Sequence, residues 1–257
     1  MKERIITAIC IIAAVILPLW RGGIWLELLA LIILIGGGYE WLRYSHSFKQ
    51  WPVWLMPALI AAVLVTRWIP EQYFMAGIFL PFALIWMLPI FIESMDIEEA
   101  FYCLTYFTAF SLIYQTLGYL VPGSNHLYLV TICLANYGSD TGAWAVGRSI
   151  GKHKMNPRIS PKKSWEGFFG GWIFGTILSF GLSYFYVGNI NSLLNLALCL
   201  VCPVVAEGGD LCFSLIKRYY NIKDFSNLLP GHGGILDRVD SLLINLLIFG
   251  FLYVLIV

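Results

Sequence analysis

The sequence predicts an all-α, polytopic integral membrane protein with about nine transmembrane helices. Only 12% of its 257 residues are charged, whereas a soluble domain is about one quarter charged. Mean hydropathy is +0.77, and apolar runs follow one another along the chain with short polar segments between them. A formal net charge of +1 gives no long-range attraction to nucleic acid. We therefore expect the lipid bilayer, and no nucleic acid, as the surroundings of the protein.

Nine of the apolar runs have roughly the length of a membrane span, which is about 20 predominantly apolar residues. The predicted helices are centred on residues 5–20, 24–41, 52–67, 72–92, 100–121, 126–147, 165–188, 191–216 and 237–257. We divide the chain into an N-terminal scaffold of transmembrane helices, residues 1–121, and a C-terminal catalytic region, residues 122–257. The division reflects the second part's higher content of chemically informative side chains.

Lysine and arginine residues determine the predicted orientation. With the N-terminus in the cytoplasm, the cytoplasmic segments carry fourteen of the 16 basic residues, and only Arg21 and Arg67 lie on the opposite side. Cytoplasmic loops of membrane proteins are enriched in Lys and Arg. The sequence therefore predicts a multi-pass protein of the plasma or inner cell membrane, with an external C-terminus and both charged motif regions facing the cytoplasm.

The stretch from Ser214 to Asp240 concentrates charge in this apolar chain. A membrane protein places charge where water, an ion or a charged substrate is handled. Three glycines flank a histidine here and let backbone N–H groups approach an anion. The histidine has three candidate roles: general base, donor to a phosphate, or loop anchor. The predicted catalytic residues lie in this stretch and just before it: Asp210, Lys217, Arg218, Lys223, Asp224, His232, Asp237, Arg238 and Asp240.

Three carboxylates are placed to meet at the cytoplasmic ends of predicted helices. Asp140 lies inside the sixth helix, where a carboxylate is costly and is a functional hypothesis by default. Asp210 belongs to a polar stripe on the eighth helix and Asp237 opens the ninth, so antiparallel packing would bring them together. Hard oxygen ligands suit Mg²⁺. The alternative is a set of buried salt bridges, an expensive way to hold helices together. We therefore predict a metal site formed by Asp210, Asp237 and Asp140.

A second charged segment, residues 151–172, predicts a phosphate site. Ser160 suits a helix N-cap and Pro161 the first helical position, which would place Lys162 and Lys163 in the first turn. Cations there oppose the helix dipole and make sense where an anion binds the helix N-terminus. The alternative is that the lysines only hold this loop on the cytoplasmic side. The predicted substrate-binding residues are Asp140, Ser160, Lys162, Lys163, Glu166, Ser214, Gly233 and Gly234.

These segments together resemble the signature of the phosphatidate cytidylyltransferases, the CDP-diacylglycerol synthases of membranes. The similarity covers S-x-I-K-R, K-D-x-S and L-P-x-H-G-G-I-x-D-R-V-D in the last segment, S-D-T-G-A-W in the sixth predicted helix, and S-P-K-K-S-W-E-G-F-x-G-G between them. It is strong over residues 135–241 and general before them. The chain departs from the family pattern at Ser164, where threonine is commoner, and at Phe213, where the family often has an acidic residue. Glu207 is a candidate replacement for that carboxylate.

The resemblance implies that the protein transfers CMP from CTP to phosphatidate, giving CDP-diacylglycerol and pyrophosphate in phospholipid biosynthesis. The lipid phosphate would attack in line without a covalent enzyme intermediate, so catalysis would rest on positioning and charge neutralisation. The implied cofactors are Mg²⁺ and, beside it, K⁺. The implied partners are CTP and phosphatidate in the membrane, and a homodimer is one option for the assembly.

Two other functions share part of the pattern. A CTP-dependent lipid kinase uses related substrates but transfers the γ-phosphate and releases CDP instead of pyrophosphate. A membrane transporter also carries intramembrane carboxylates, but it would show internal repeats and charges near the bilayer midplane. We find no repeat, and the charges here lie at the predicted helix ends.

The orientation can be tested by labelling single cysteines with a membrane-impermeant reagent. Because of the basic asymmetry, a cysteine at position 189, in place of Asn189, should react from outside intact cells. A cysteine in place of Lys154 should react only after the membrane is opened. The parent protein with its own six cysteines is the control. The reverse pattern would overturn the topology and the cytoplasmic location of the motifs.

Overall fold

The computed structural model describes residues 2–257, with the side chains of all but residues 2–6, 8 and 71 among them. Over this part of the chain the fold is α-helical apart from one small two-stranded sheet. Residues 2–257 contain nine α-helices: α1 Lys2–Arg21, α2 Gly23–Leu42, α3 Leu55–Thr66, α4 Phe74–Phe91, α5 Ile97–Leu120, α6 His126–Ile150, α7 Trp165–Ser183, α8 Ser192–Tyr219 and α9 Leu236–Ile256. Each corresponds to one predicted apolar run, which confirms the all-α fold class.

Four of these helices are long and apolar enough to cross a membrane by length and composition, namely α2, α4, α8 and α9. Ile9–Arg21 and Leu55–Thr66 are shorter apolar helical stretches. Helix α4 buries only Ile85 among its side chains, and more than half of its residues are exposed, which suits a helix that faces lipid. These observations confirm a multi-pass membrane protein. Nine spans with a cytoplasmic N-terminus stay a prediction, because the other described helices do not combine the same length and apolarity and the fold does not determine the side on which the N-terminus lies.

The predicted helix start at Ser160 is wrong. Ser160–Ser164 forms a strand, β2, which pairs antiparallel with β1, Lys154–Asn156. Helix α7 begins one segment later, and its N-cap is Ser164, whose Oγ accepts a hydrogen bond from the backbone N–H of Gly167 at 3.2 Å. Both serines suit an N-cap, but hydrogen bonding across the hairpin keeps the first in an extended backbone. Lys162 and Lys163 therefore lie on a strand before the helix.

The core consists of aromatic and aliphatic side chains from most of the helices. At its centre Phe213 of α8 packs edge-on against Trp41 and Phe225, with ring centroids 6.0 Å apart in both pairs. Phe213 is buried and lies in the apolar interior. An acidic residue here would be desolvated among aromatic rings, so this position contributes to packing in this chain and not to a charged site.

Helices α6 and α7 pack with their backbones close together along a row of glycines. An added Cβ at Gly171 would lie 2.7 Å from the carbonyl oxygen of Ser139, and one at Gly175 would lie 2.7 Å from that of Ala135. Small residues at a helix interface permit this approach. The glycines of α7 therefore serve helix packing, and they hold the start of α7 close to the face of α6 that carries Asp140.

The close packing predicts a difference between two alanine variants of the same helix. Gly171→Ala forces a Cβ against a backbone oxygen that cannot rotate away, so it should lower the free energy of unfolding by about 1–3 kcal/mol. Gly181→Ala is the matched control, because nothing lies within 4 Å of its added Cβ and alanine favours the helix. Thermal unfolding of the two purified variants measures the difference. Equal midpoints would show that α6 and α7 are not held together at Gly171.

Candidate active site

The loop between α8 and α9 is organised around the buried carboxylate of Asp237. Its Oδ1 accepts from Lys217 Nζ at 2.9 Å, and its Oδ2 accepts from the backbone N–H groups of Phe225 at 2.7 Å and Gly234 at 2.9 Å. Gly233 has φ +84, and a Cβ there would lie 2.9 Å from Oδ2. Only glycine suits that position. The glycines of this loop thus allow it to wrap around one of the protein's own carboxylates.

A second group of ion pairs lies where β2 meets α8. Lys163 Nζ is 2.6 Å from Asp210 Oδ2 and 2.8 Å from Glu207 Oε2. Glu207 is 3% exposed, so its charge is desolvated and depends on this counter-ion. Asp140 of α6 lies within electrostatic reach of all three side chains. Lys163, predicted to bind an anionic substrate, therefore contacts carboxylates in this structure.

Asp240 connects the two groups of ion pairs. Its Oδ2 is 3.8 Å from Lys217 Nζ, and its charge interacts with those of Asp210, Asp237 and Asp140. The result is a continuous line of charges drawn from α6, β2, α8 and α9. We call it the charged belt, and its members are Asp140, Lys163, Glu207, Asp210, Lys217, Asp237 and Asp240. The fold thus assembles all three predicted metal ligands in one polar region.

A cleft with a volume of about 480 Å³ opens beside the charged belt. This size is in the usual range for small-molecule sites. Its polar lining includes Asp140, Arg148 and Lys162, and its apolar lining includes Trp144 and Phe168. The guanidinium carbon of Arg148 lies 5.5 Å from the centroid of the Trp144 ring. Cations beside aromatic faces suit a ligand that has both phosphate groups and a flat ring. Arg148, Trp144 and Phe168 were not among the predicted site residues.

Glu166 does not join the charged belt. Its carboxylate accepts hydrogen bonds from the backbone N–H groups of Lys152 and His153 at 3.2 Å, and His153 Nδ1 lies 2.6 Å from Oε1. These contacts lie at the first turn of α7, where the Glu166 side chain is 23% exposed. Glu166 therefore ties the loop after α6 to the start of α7. Its partner His153 was not among the predicted site residues.

The other predicted site residues lie around the belt. Ser160 lines the cleft, Ser214 is half-buried on α8, and the ring Nδ1 of His232 lies 3.4 Å from the carbonyl oxygen of Pro230. Of the three candidate roles of His232, the contact within its own loop is the one that this geometry provides. Four predicted catalytic residues are exposed: Arg218, Lys223, Asp224 and Arg238.

The three predicted metal ligands have different surroundings. Asp210 and Asp237 are each paired with a lysine, whereas Asp140 lines the cleft. Among the side chains that the structure describes, no group of three histidine, cysteine or acidic residues has the arrangement of a metal site. The donors present are all carboxylate oxygens, and this chemistry fits a hard divalent cation such as Mg²⁺.

Glu40 of α2 contacts the motif loop, although it was not among the predicted site residues. It is 1% exposed, and its carboxylate accepts from Ser226 Oγ at 2.6 Å and from the backbone N–H groups of Ile235 at 2.9 Å and Leu236 at 2.8 Å. The signal that could have identified it is a carboxylate within an apolar run, two residues after the glycines 36–38. A helix of the predicted scaffold thus contributes to the loop that carries the motif.

Comparison with known proteins extends these observations over the whole chain. A model described as the cytidylyltransferase family matches residues 2–256. The chain belongs to the cytidylyltransferase family. A protein named phosphatidate cytidylyltransferase from Staphylococcus aureus (strain COL) is 32% identical over 261 residues, with 94% of each chain covered. One of the same name from Pseudomonas aeruginosa is 34% identical over 260 residues, covering 94% of this chain and 93% of the relative. One from Bacillus subtilis is 42% identical over 116 residues, covering 45% and 43%.

Membership of the cytidylyltransferase family confirms the relationship and the enzyme class, a nucleotidyltransferase, that the motifs predict. The match includes helices α1 to α5, which precede every motif of the signature. The N-terminal half is therefore part of the family's shared structure. The contact between Glu40 and the motif loop agrees with a family match that includes both halves of the chain.

The two lysines of β2 should respond differently to substitution. Lys163→Met leaves the buried Glu207 unpaired, which should cost about 3–5 kcal/mol of stability as well as activity. Lys162→Met should leave the unfolding midpoint unchanged and weaken only the use of CTP, because Lys162 is exposed at the cleft. Thermal unfolding and steady-state kinetics of both variants make the comparison. Adding Glu207→Gln to Lys163→Met should restore stability but not activity. Equal midpoints for Lys163→Met and Lys162→Met would rule out the structural role of the Lys163 ion pair.

Proposed function

We propose that this cytidylyltransferase transfers CMP from CTP to phosphatidate, forming CDP-diacylglycerol and pyrophosphate. The observation that carries the proposal is the similarity of nearly the whole chain to relatives named phosphatidate cytidylyltransferase. The motif residues that carry the resemblance also form the charged belt and its cleft. An apolar, multi-helix chain suits a reaction in which one substrate is a lipid and the other a soluble nucleotide.

The reaction is a single in-line displacement. An oxygen of the lipid phosphate forms a bond to the α-phosphorus of CTP while the bond to the bridging oxygen breaks and pyrophosphate leaves. A phosphate monoester is already a usable nucleophile, so the mechanism needs no covalent enzyme intermediate and no general base. The protein supplies positioning and charge neutralisation. Lys162 and Arg148, which line the cleft, would hold the nucleotide phosphates, and the exposed Lys223 and Arg238 would reach the lipid phosphate.

Asp210 and Asp237, with Asp140 beside them, are the residues that would hold Mg²⁺. The ion would polarise the α-phosphate and neutralise charge that develops on the leaving group. Lys163 and Lys217 pair with the first two of these carboxylates, and on binding they would turn their ammonium groups from carboxylate to phosphate. K⁺ is proposed as a second cation, with no ligand set assigned to it.

The proposed location of the reaction is the cytoplasmic face of the cell membrane. The basic residues, fourteen of them on one side in the predicted topology, favour this orientation. CTP would enter the cleft from water, and phosphatidate would arrive laterally with its acyl chains in the bilayer. A homodimer is one option for the assembly, but the proposed site does not require a second copy of the chain.

The test is product analysis with the purified, reconstituted full-length protein, CTP, Mg²⁺ and vesicles that contain phosphatidate. Label in the α-phosphate of CTP should appear in a lipid, and label in the γ-phosphate should appear in pyrophosphate. A γ-label in the lipid together with free CDP would identify a lipid kinase instead, and the absence of any labelled lipid would overturn the proposal.

The matched variants in this assay are Asp237→Asn and Glu93→Gln. Removing the charge of Asp237 should reduce CDP-diacylglycerol formation by roughly a thousandfold or more, because it would remove both a metal ligand and the partner of Lys217. Glu93 is exposed in the turn after α4, so its neutralisation should leave the rate unchanged. Near-normal activity of Asp237→Asn would contradict the assignment of this carboxylate to the reaction.

A further inference from the structure

The start of α9 has an unusual cap. Its N-cap residue is Ile235, whose apolar side chain accepts no hydrogen bond from the free N–H groups of the first turn. The N–H groups of Ile235 and Leu236 donate instead to Glu40, which lies on a different helix about 195 residues earlier in the chain. A carboxylate at this position satisfies two orphan donors and also interacts favourably with the positive end of the helix dipole.

Two carboxylates hold neighbouring points of the same loop. Glu40 binds Ser226 at one end of the loop and Ile235 and Leu236 at the other. Asp237 binds the residues directly beside these points, Phe225 and Gly234. The two ends of the loop from residue 225 to residue 236 are therefore held together by two adjacent sets of hydrogen bonds, one to each carboxylate. We call each set a clamp. One clamp belongs to the motif, and the other is supplied by α2.

The surface of α2 is shaped to accept this loop. A Cβ on Gly36 would lie 2.3 Å from Ile235 Cδ1, and a Cβ on Gly37 would lie 3.0 Å from Leu236 Cδ2. A Cβ on Gly234 would lie 2.5 Å from the carboxylate oxygens of Glu40. Glycine on both sides of the contact thus lets the helix, the loop and the carboxylate meet without a gap.

We infer that Glu40 is a positioning residue of the reaction: by clamping the loop and the first turn of α9 it sets the position of Asp237, and through it that of Lys217. The inference rests on the proposed function. Glu40 lies beneath the loop and is buried, so it acts through the residues that it holds. Its loss should therefore change how the site binds and turns over substrate in molecules that remain folded.

Glu40→Gln tests this inference, because the amide keeps the shape but turns a donor toward an N–H group that needs an acceptor. Losing charged, buried hydrogen bonds of this kind should lower kcat by about tenfold to a hundredfold and raise the KM for CTP. Glu40→Asp, which keeps the charge, should recover part of both. A merely destabilised protein would lose active molecules, which lowers kcat and leaves KM unchanged.

Glu27→Gln is the matched control, because Glu27 lies on the same helix and accepts from Tyr114 Oη at 2.7 Å, away from the loop. It should leave kcat and KM as they are. Hydrogen exchange of the full-length protein in nanodiscs gives a readout that does not depend on turnover. The amides of Ile235 and Leu236 should exchange at least about tenfold faster in Glu40→Gln and remain protected in Glu27→Gln.

The outcomes separate this inference from the proposed function. Wild-type protein that makes no CDP-diacylglycerol would contradict the function, whatever the exchange data show. Unchanged exchange at both amides in Glu40→Gln, or a fall in kcat with KM unchanged and no recovery in Glu40→Asp, would overturn the positioning role of Glu40 alone.

Discussion

Burying the Asp237 carboxylate requires its negative charge to be balanced within an apolar chain, and the surrounding structure follows from how this is done. Desolvating an unpaired carboxylate costs several kcal/mol. Lys217 supplies the opposite charge, and two backbone N–H groups complete the hydrogen bonding. Since these donors come from α8 and from both ends of the motif loop, satisfying one carboxylate determines the positions of a helix end and two loop segments. This arrangement requires glycine in the motif, because the loop adopts a backbone conformation that other residues rarely adopt and passes close to the carboxylate.

The same requirement explains why a scaffold helix is part of the site. Once the loop is folded around Asp237, the first turn of α9 and Ser226 still need an acceptor, and Glu40 provides it from α2. Here the division at residue 121 separates elements that share one hydrogen-bonded structure, and the family match from residue 2 to residue 256 agrees with that continuity.

The structure could be predicted from the sequence where it depends on residues that are close together in the chain. Long apolar runs predicted the helices, and the charged stretches predicted which ends of α6, α8 and α9 would meet. The prediction failed at Ser160, because an N-cap signal depends on nearby residues and the hairpin that overrides it depends on pairing with β1. It also missed Glu40, whose partners lie 186 to 196 residues away, so no spacing rule could connect them. Metal binding stays a prediction, since carboxylates that pair with lysines serve equally well as ligands or as counter-ions.

The charged belt also has a consequence for the order in which ligands arrive. Its five carboxylates and two ammonium groups give a formal charge of about −3 when all are ionised. A bare nucleoside triphosphate, itself strongly anionic, is repelled by such a region, and low-dielectric surroundings strengthen the repulsion. Cations are attracted by the same field. On the proposed function, the field of the belt would therefore favour a nucleotide that arrives with neutralising cations bound over the bare triphosphate.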